Sequence, residues 1–247
     1  MKGDRAVLPV TALAAVVARQ GLGELHIAVQ PEPVWIPPGD RPDAESAVDT
    51  ALAEAGLLEG RGRVDADFLD WLPLLTNATI EYYGWLSQND TTWSVLAAGR
   101  GLQGVLAVRS GDWVTLLPAN HNRLAETLAA HLPELYPGGG SHWSVRVIDL
   151  EEAGRHPANE RSLPPDVREI VKVVQRPVTG AGELYVAERD HLGRYTRLRE
   201  PLHYVDTDWG RYLNYTNGSG AEAEVHIAPG SASAIATELD KLRATLG

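Results

Sequence analysis

Apolar positions recur along the chain with two different periods, and the switch between them lays out the elements. Val10, Leu13 and Val17 share one helical face, and Gly21-Leu22-Gly23 ends that helix because glycine tolerates the left-handed cap. ELHIAV (24–29) alternates as a short strand. QPEPVWIPPGDRPD (30–43) holds too many prolines for a helix interior or an inner strand, and predicts an irregular connector. Val48, Leu52 and Ala55 space a second helix, which EGRGR (59–63) breaks. Asp65 then caps a third helix with Phe68, Leu72 and Leu75 on one face.

From Ile80 the period falls to two. Ile80, Tyr82, Gly84 and Leu86 alternate with Glu81, Tyr83 and Trp85, and TTWSVLAA, LQGVLAVR and WVTLLP follow. The turns SQND, GRG and SGD between them predict an antiparallel meander, closed by a helix with Leu124, Leu128 and Leu132. The second half repeats the plan. Pro164 and Pro165 suit a helix start, with Val167, Ile170, Val171 and Val174 as its apolar face. The strands ELYVAER, PLHYVD, RYLNYT and AEVHIA come next, with a hairpin at DHLGR, and a last helix carries Ile235, Leu239, Leu242 and Leu246. The two closing segments match at one constant offset: Leu116 with Ile227, Pro118 with Pro229, Leu124 with Ile235, Leu128 with Leu239. A repeat on this scale sets the whole fold. It predicts an α+β architecture, a central antiparallel sheet flanked by helices, made of two helix–meander–helix halves related by a pseudo-two-fold. Residues 1–247 are read as a single domain, its halves at about 1–150 and 151–247, joined by the linker DLEEAGRHPANERSL (149–163).

Charge narrows the partners. The formal net charge is −11, and the basic residues are dispersed; the densest group, Arg189 to Arg199, is interleaved with acids. Such a chain repels phosphate backbones, so no nucleic-acid partner is expected. The absence of cysteine removes disulfides, thiolate nucleophiles and thiolate zinc sites, and suits a reducing compartment. The apolar run near the N-terminus is broken by Arg19 and Gln20, and reads as an amphipathic helix rather than a signal peptide. No stretch approaches the ~18 apolar residues of a membrane span. The expectation is a cytoplasmic protein without membrane insertion.

One stretch invites a catalytic reading. In PLHYVDTDWGRYLNY (201–215), Asp206 and Asp208 stand beside His203, Tyr204 and Arg211. Strand alternation puts Leu202, Tyr204 and Asp206 on one face and His203 on the other. DTDWG has the composition of a turn, since Asp bonds its own backbone and Gly permits positive φ. A hard-metal site wants about six oxygens, and only two are visible. The turn is favoured; the alternative is a metal-dependent or acid–base enzyme centred on Asp206, Asp208 and His203. No His-Glu-x-x-His, phosphate loop or Gly-x-Ser-x-Gly elbow is present, so no catalytic residue, metal or cofactor is assigned. The seven tryptophans are mostly expected in the core, although Trp and Tyr are also what a protein-binding surface favours.

The ordered set of a GEL-V-RD–G-R hairpin (Gly182–Arg194), a DTD-GRY turn (Asp206–Tyr212) and a strand–Pro–helix close (Val225–Leu242) resembles the EspG family. In the first half, GLLEGRGRVDADFLDWLPLL and LAAGRGLQGVLAVRSGDWVTLLP are also similar to it, and the resemblance runs from about Leu8 to Leu246. These are cytosolic chaperones of type VII (ESX) secretion in actinobacteria. The resemblance implies a non-enzymatic role: holding the apolar tip of a PE/PPE-like or other helical-hairpin ESX substrate until export. The family's long inter-strand loop corresponds here only to SQNDTT (Ser87–Thr92). A groove for such a tip needs an apolar floor and a polar rim. Trp85, Trp93 and Tyr185 are the candidate floor, and Gln88, Asn89 and Asp90 the candidate loop contact.

Overall fold

The computed structural model describes residues 5–33, 37, 41–155 and 163–246. In the first half, β1 (Ala6–Pro9) runs directly into α1 (Val10–Arg19), followed by α2 (Arg41–Glu54). A small hairpin of β2 (Leu58–Glu59) and β3 (Arg63–Val64) leads to α3 (Ala66–Thr76). Asp65 is the N-cap of α3, and its Oδ1 accepts from the Phe68 N–H at 3.0 Å. The period-two region becomes β4 (Ile80–Gln88), β5 (Thr91–Arg100), β6 (Gln103–Ser110) and β7 (Trp113–Pro118), closed by α4 (Leu124–Ala129).

From β8 onward the described residues follow a similar order, without the small hairpin and third helix. β8 (Trp143–Arg146) runs directly into α5 (Val147–Arg155), and α6 (Pro165–Val174) follows. Then come β9 (Val178–Arg189), β10 (Tyr195–Arg197), β11 (Leu202–Thr207), β12 (Gly210–Asn217), β13 (Glu224–Pro229) and α7 (Ala232–Arg243). The main strands form one antiparallel sheet in the order β1-β7-β6-β5-β4-β9-β11-β12-β13-β8, with β10 paired to β9. Outward from the β4–β9 seam, each direction crosses a four-strand meander and ends on the strand that feeds its half's first helix. That is the pseudo-two-fold expected from the repeat.

Helices cover the two faces unequally. On one face α4 and α7 lie together over the centre, burying Tyr82, Leu86, Leu106, Leu128, Leu184, Tyr204, Ile235 and Leu239. The Tyr82 hydroxyl ties this layer down by donating to Asp240 of α7 at 2.5 Å. On the opposite face α1–α3 cover the β1 end, around Leu8, Leu13, Phe68 and Leu72, with a cluster that reaches Leu96 on β5 and Tyr83 on β4. There α5 and α6 cover only the β8 end, around Trp143, Val167, Ile170, Tyr212 and Ile227. The middle of that face is left between two helical walls.

Several expectations are corrected. ELHIAV is not a strand: residues 22–30 form a loop along the sheet. β5 and β6 are already paired on both edges, so the loop bonds to side chains, with Ser94 Oγ donating to Ala28 O and Arg109 to Gln30 O. The proline-rich connector gives way to helix at Arg41, and the start of the presumed linker, through Arg155, is α5; residues 34–36, 38–40 and 156–162 of these segments lie outside the described residues. In α6 the core-facing position is Val173, and Val174 is exposed. Among the described tryptophans only Trp143 is buried; Trp85, Trp113 and Trp209 are exposed, and Trp71 and Trp93 half-buried. Trp35 lies outside the described residues. No helix among the described residues is long and apolar enough to cross a membrane.

Candidate functional site: an open trough on the central sheet

Strand register aligns one row of side chains across ten strands: Leu8, Val114, Arg109, Ser94, Trp85, Glu183, His203, Asn214, Ile227 and Trp143. Cross-strand partners share a face. The two ends of the row are buried under the helical walls, while the middle floors a trough of ≈ 820 Å³. Ile27, on the loop that replaces the expected strand, stands on one wall at 57% exposure.

An aromatic cluster supports this floor. Tyr83 and Tyr185 stack with centroids 5.3 Å apart, and Trp85 sets its ring edge-on to both, at 5.7 and 5.8 Å. Tyr83 is buried, whereas Trp85 remains 39% exposed. Such edge contacts fix the indole in place while leaving apolar surface open. Beneath one wall His26 meets Tyr83 edge-on at 4.5 Å. The His26 Nδ1 accepts from the Ala28 N–H at 3.1 Å, and burial lowers its pKa to about 4, so the ring is neutral. Burial also raises the pKa of neighbouring Glu81, whose Oε2 accepts from the Tyr195 hydroxyl at 2.7 Å.

Of the candidate floor residues, Trp85 and Tyr185 share one sheet face, as alternation from Ile80 and Leu184 predicts; Trp85 lines the trough, whereas Tyr185 is half-buried, packed against Trp85 and outside the lining. Trp93 comes from the other face, where it pairs with Leu86 and packs among the apolar side chains under α4 and α7, and it also lines the trough. Gln88 ends β4, paired with Thr91 and Gly180. Asn89 and Asp90, both exposed, have φ of 45° and 63°. This is a tight two-residue hairpin with both residues left-handed, and the Asn89 N–H donates to Thr179 O at 3.2 Å. It adjoins the trough through Ser87 and Thr92.

The alternative enzyme centre is dispersed by the fold. His203 faces the trough. Asp206 points to the other face and is not in a turn; it lies in β11, fully buried. Its carboxylate is clamped by Arg211, Nε to Oδ1 at 2.6 Å and Nη2 to Oδ2 at 2.8 Å. Arg211 also donates to Pro133 O at 2.9 Å and lies 4.6 Å over the Tyr204 ring. Asp208 begins the actual turn, outside, where Arg176 Nε donates to its Oδ1 at 2.8 Å and holds its pKa down. The expectation that Asp206 and Asp208 are equivalent turn formers is therefore corrected. No group of three metal-ligating side chains occurs among the described residues.

Sequence reasoning missed Arg109, Glu183, Asn214 and Ile27 as trough residues. Their faces follow from alternation, but whether a face is open depends on where helices of both halves land.

The trough combines a broad open floor, a half-exposed indole and dispersed polar groups. No curated protein sequence matches the chain. Among solved structures, the Mycobacterium tuberculosis type VII secretion system chaperone EspG5, determined in complex with a PE25–PPE41 dimer, has the same fold. The TM-score is 0.72 at 15% identity, covering 98% of this chain and 97% of that one. A model of the EspG family matches residues 9–241, and the chain belongs to the EspG family.

Proposed function

We propose that the chain is a cytoplasmic chaperone of a type VII (ESX) secretion system. It holds the apolar tip of a PPE-like helical substrate in the trough and keeps it soluble before export. The observation that carries this reading is the uncovered middle of a sheet face whose ends are both buried under helices. Antiparallel sheets often leave one face to water, but here the open strip is recessed between two helical walls and carries a half-exposed indole beside Ile27, as a partner site would. Two antiparallel helices packed about 8–10 Å apart, each about 10–12 Å across, make a tip about 20 Å wide, which fits the ~24 Å spanned by the five strand spacings from Arg109 to Asn214. EspG5, which shares the fold, was solved bound to a PE–PPE dimer. The role is non-enzymatic, and residues 1–247 act as one EspG-like domain whose two halves supply the two walls. Trp85 forms the floor with Tyr185 packed against it, Trp93 lines the trough beside Trp85, and Gln88, Asn89 and Asp90 form a contact at one end.

The test is co-expression with PE/PPE heterodimers, followed by size exclusion and affinity measurement. The expected result is a complex that Trp85→Ala weakens at least tenfold with an unchanged melting temperature. If no heterodimer is retained, or if Trp85→Ala binds as tightly as the parent, the reading fails.

A further inference from the structure

Glu183 occupies the centre of the trough floor, between Trp85 on β4 and His203 on β11. Its side chain is exposed, and its one hydrogen bond among the described residues comes from the Tyr185 hydroxyl, at 3.2 Å. No Lys or Arg among the described residues pairs with it. The other permanently charged group on the floor, Arg109, is already held by the carbonyls of Gln30 and Gly111. It lies three strands away, ~14 Å at ordinary strand spacing. An unpaired carboxylate between the Trp85 indole and His203 stays charged at little cost while water reaches it, and an occupant that covers it must bring a partner charge.

Resting on the chaperone reading above, we infer that Glu183 is a specificity-determining residue. The tip that fills the trough carries a Lys or Arg, set among apolar residues, that pairs with Glu183 beside Trp85. A wholly apolar tip, or one with an acid at that position, is rejected because the carboxylate is buried unpaired or against like charge. This deepens the partner class from an apolar helical tip to an apolar tip with one cation facing β9.

The experiment uses three synthetic helical hairpins with identical Leu-rich tips that differ at one tip position, Lys, Gln or Glu. They are titrated by fluorescence anisotropy against the full chain and its Glu183→Gln and Glu183→Lys variants. The expected order on the parent is Lys, then Gln, then Glu, with at least tenfold between the first and last. Glu183→Gln compresses that spread to within threefold, and Glu183→Lys inverts it. Melting temperatures of the variants within about 2 °C of the parent confirm that folding is not the cause, as expected for an exposed position. Equal binding of all three tips overturns the role of Glu183 and leaves the chaperone reading intact. Failure of every tip, including Lys, overturns both.

Discussion

Replacing Asp206 by Asn tests whether the pair it makes is structural. The parent carboxylate takes two charge-assisted bonds from Arg211 at 2.6 and 2.8 Å, with side-chain exposures of only 4% and 1%. Asn keeps the shape but turns one acceptor into an N–H donor, which faces the guanidinium. One strong bond is lost, at about 1.5–3 kcal/mol, and a buried cation is left without its counter-charge. Breaking a buried pair from one side costs about 3–5 kcal/mol in total. For a chain of this size each kcal/mol moves the midpoint by about 2–4 °C, so Asp206→Asn is expected to lower Tm by about 10 °C. The double change Asp206→Leu with Arg211→Met removes both charges at once and should recover most of that loss. Asp208→Asn, in the exposed turn, should leave the midpoint almost unchanged. Urea and thermal unfolding of the four proteins, followed by circular dichroism, decide it. An Asp206→Asn midpoint within 1 °C of the parent would refute the argument.

Three further outcomes follow from the geometry. The His26 pKa is about 4 in the fold and 6.5 in the unfolded chain. Between these values the unfolded state binds the extra proton, so this group's stabilisation is present above pH 6.5 and lost as pH falls toward 4, by up to ~3 kcal/mol. The raised Glu81 acts oppositely, gaining its proton first in the folded state, so the comparison must be with His26→Gln, whose urea midpoint should fall less between pH 7 and 4.5; identical slopes would sink the assignment. At Gly182 a Cβ would sit 2.3 Å from the Tyr204 ring and 2.9 Å from Leu86 Cδ2, so Gly182→Val should cost about 1–3 kcal/mol by overpacking, and a stability equal to the parent would contradict that contact. Tyr82→Phe removes the bond to Asp240 and should cost about 1 kcal/mol, measurable as a shift of the chemical midpoint without a change in slope; no shift would mean the tether to α7 is idle.

The meanders were legible because each strand shows a period of two between turns rich in Gly, Asn and Asp, and because helix closures repeat after Pro118 and Pro229. β1 escaped notice because four residues are too few for a period to stand out from the helix that follows. ELHIAV misled for the opposite reason: it alternates, but the β5 and β6 backbones it lies against were already paired. DTDWG reads as a turn in composition, yet β11 runs on through Thr207 because Arg211, five residues later, supplies a buried charge for Asp206. Alternation put Trp85 and Tyr185 on one face and could not place Trp93 relative to them, since that depends on the Leu86–Trp93 register. The trough is a property of what the helices leave uncovered, and local pattern carries no trace of it.

The seam between β4 and β9 also governs how the chain reaches its fold. Hairpins within each meander join residues close in sequence, whereas Ile80 must find Glu188 and Gln88 must find Gly180. Loop-closure entropy delays such distant pairings, so each meander forms early and the seam late. Until it closes, β4 and β9 are open edges, the kind of template on which chains aggregate. Through that interval Tyr82, Tyr83 and Trp85 of β4 and Tyr185 of β9 lie on unshielded edges, so a slower seam leaves more time for chains to aggregate.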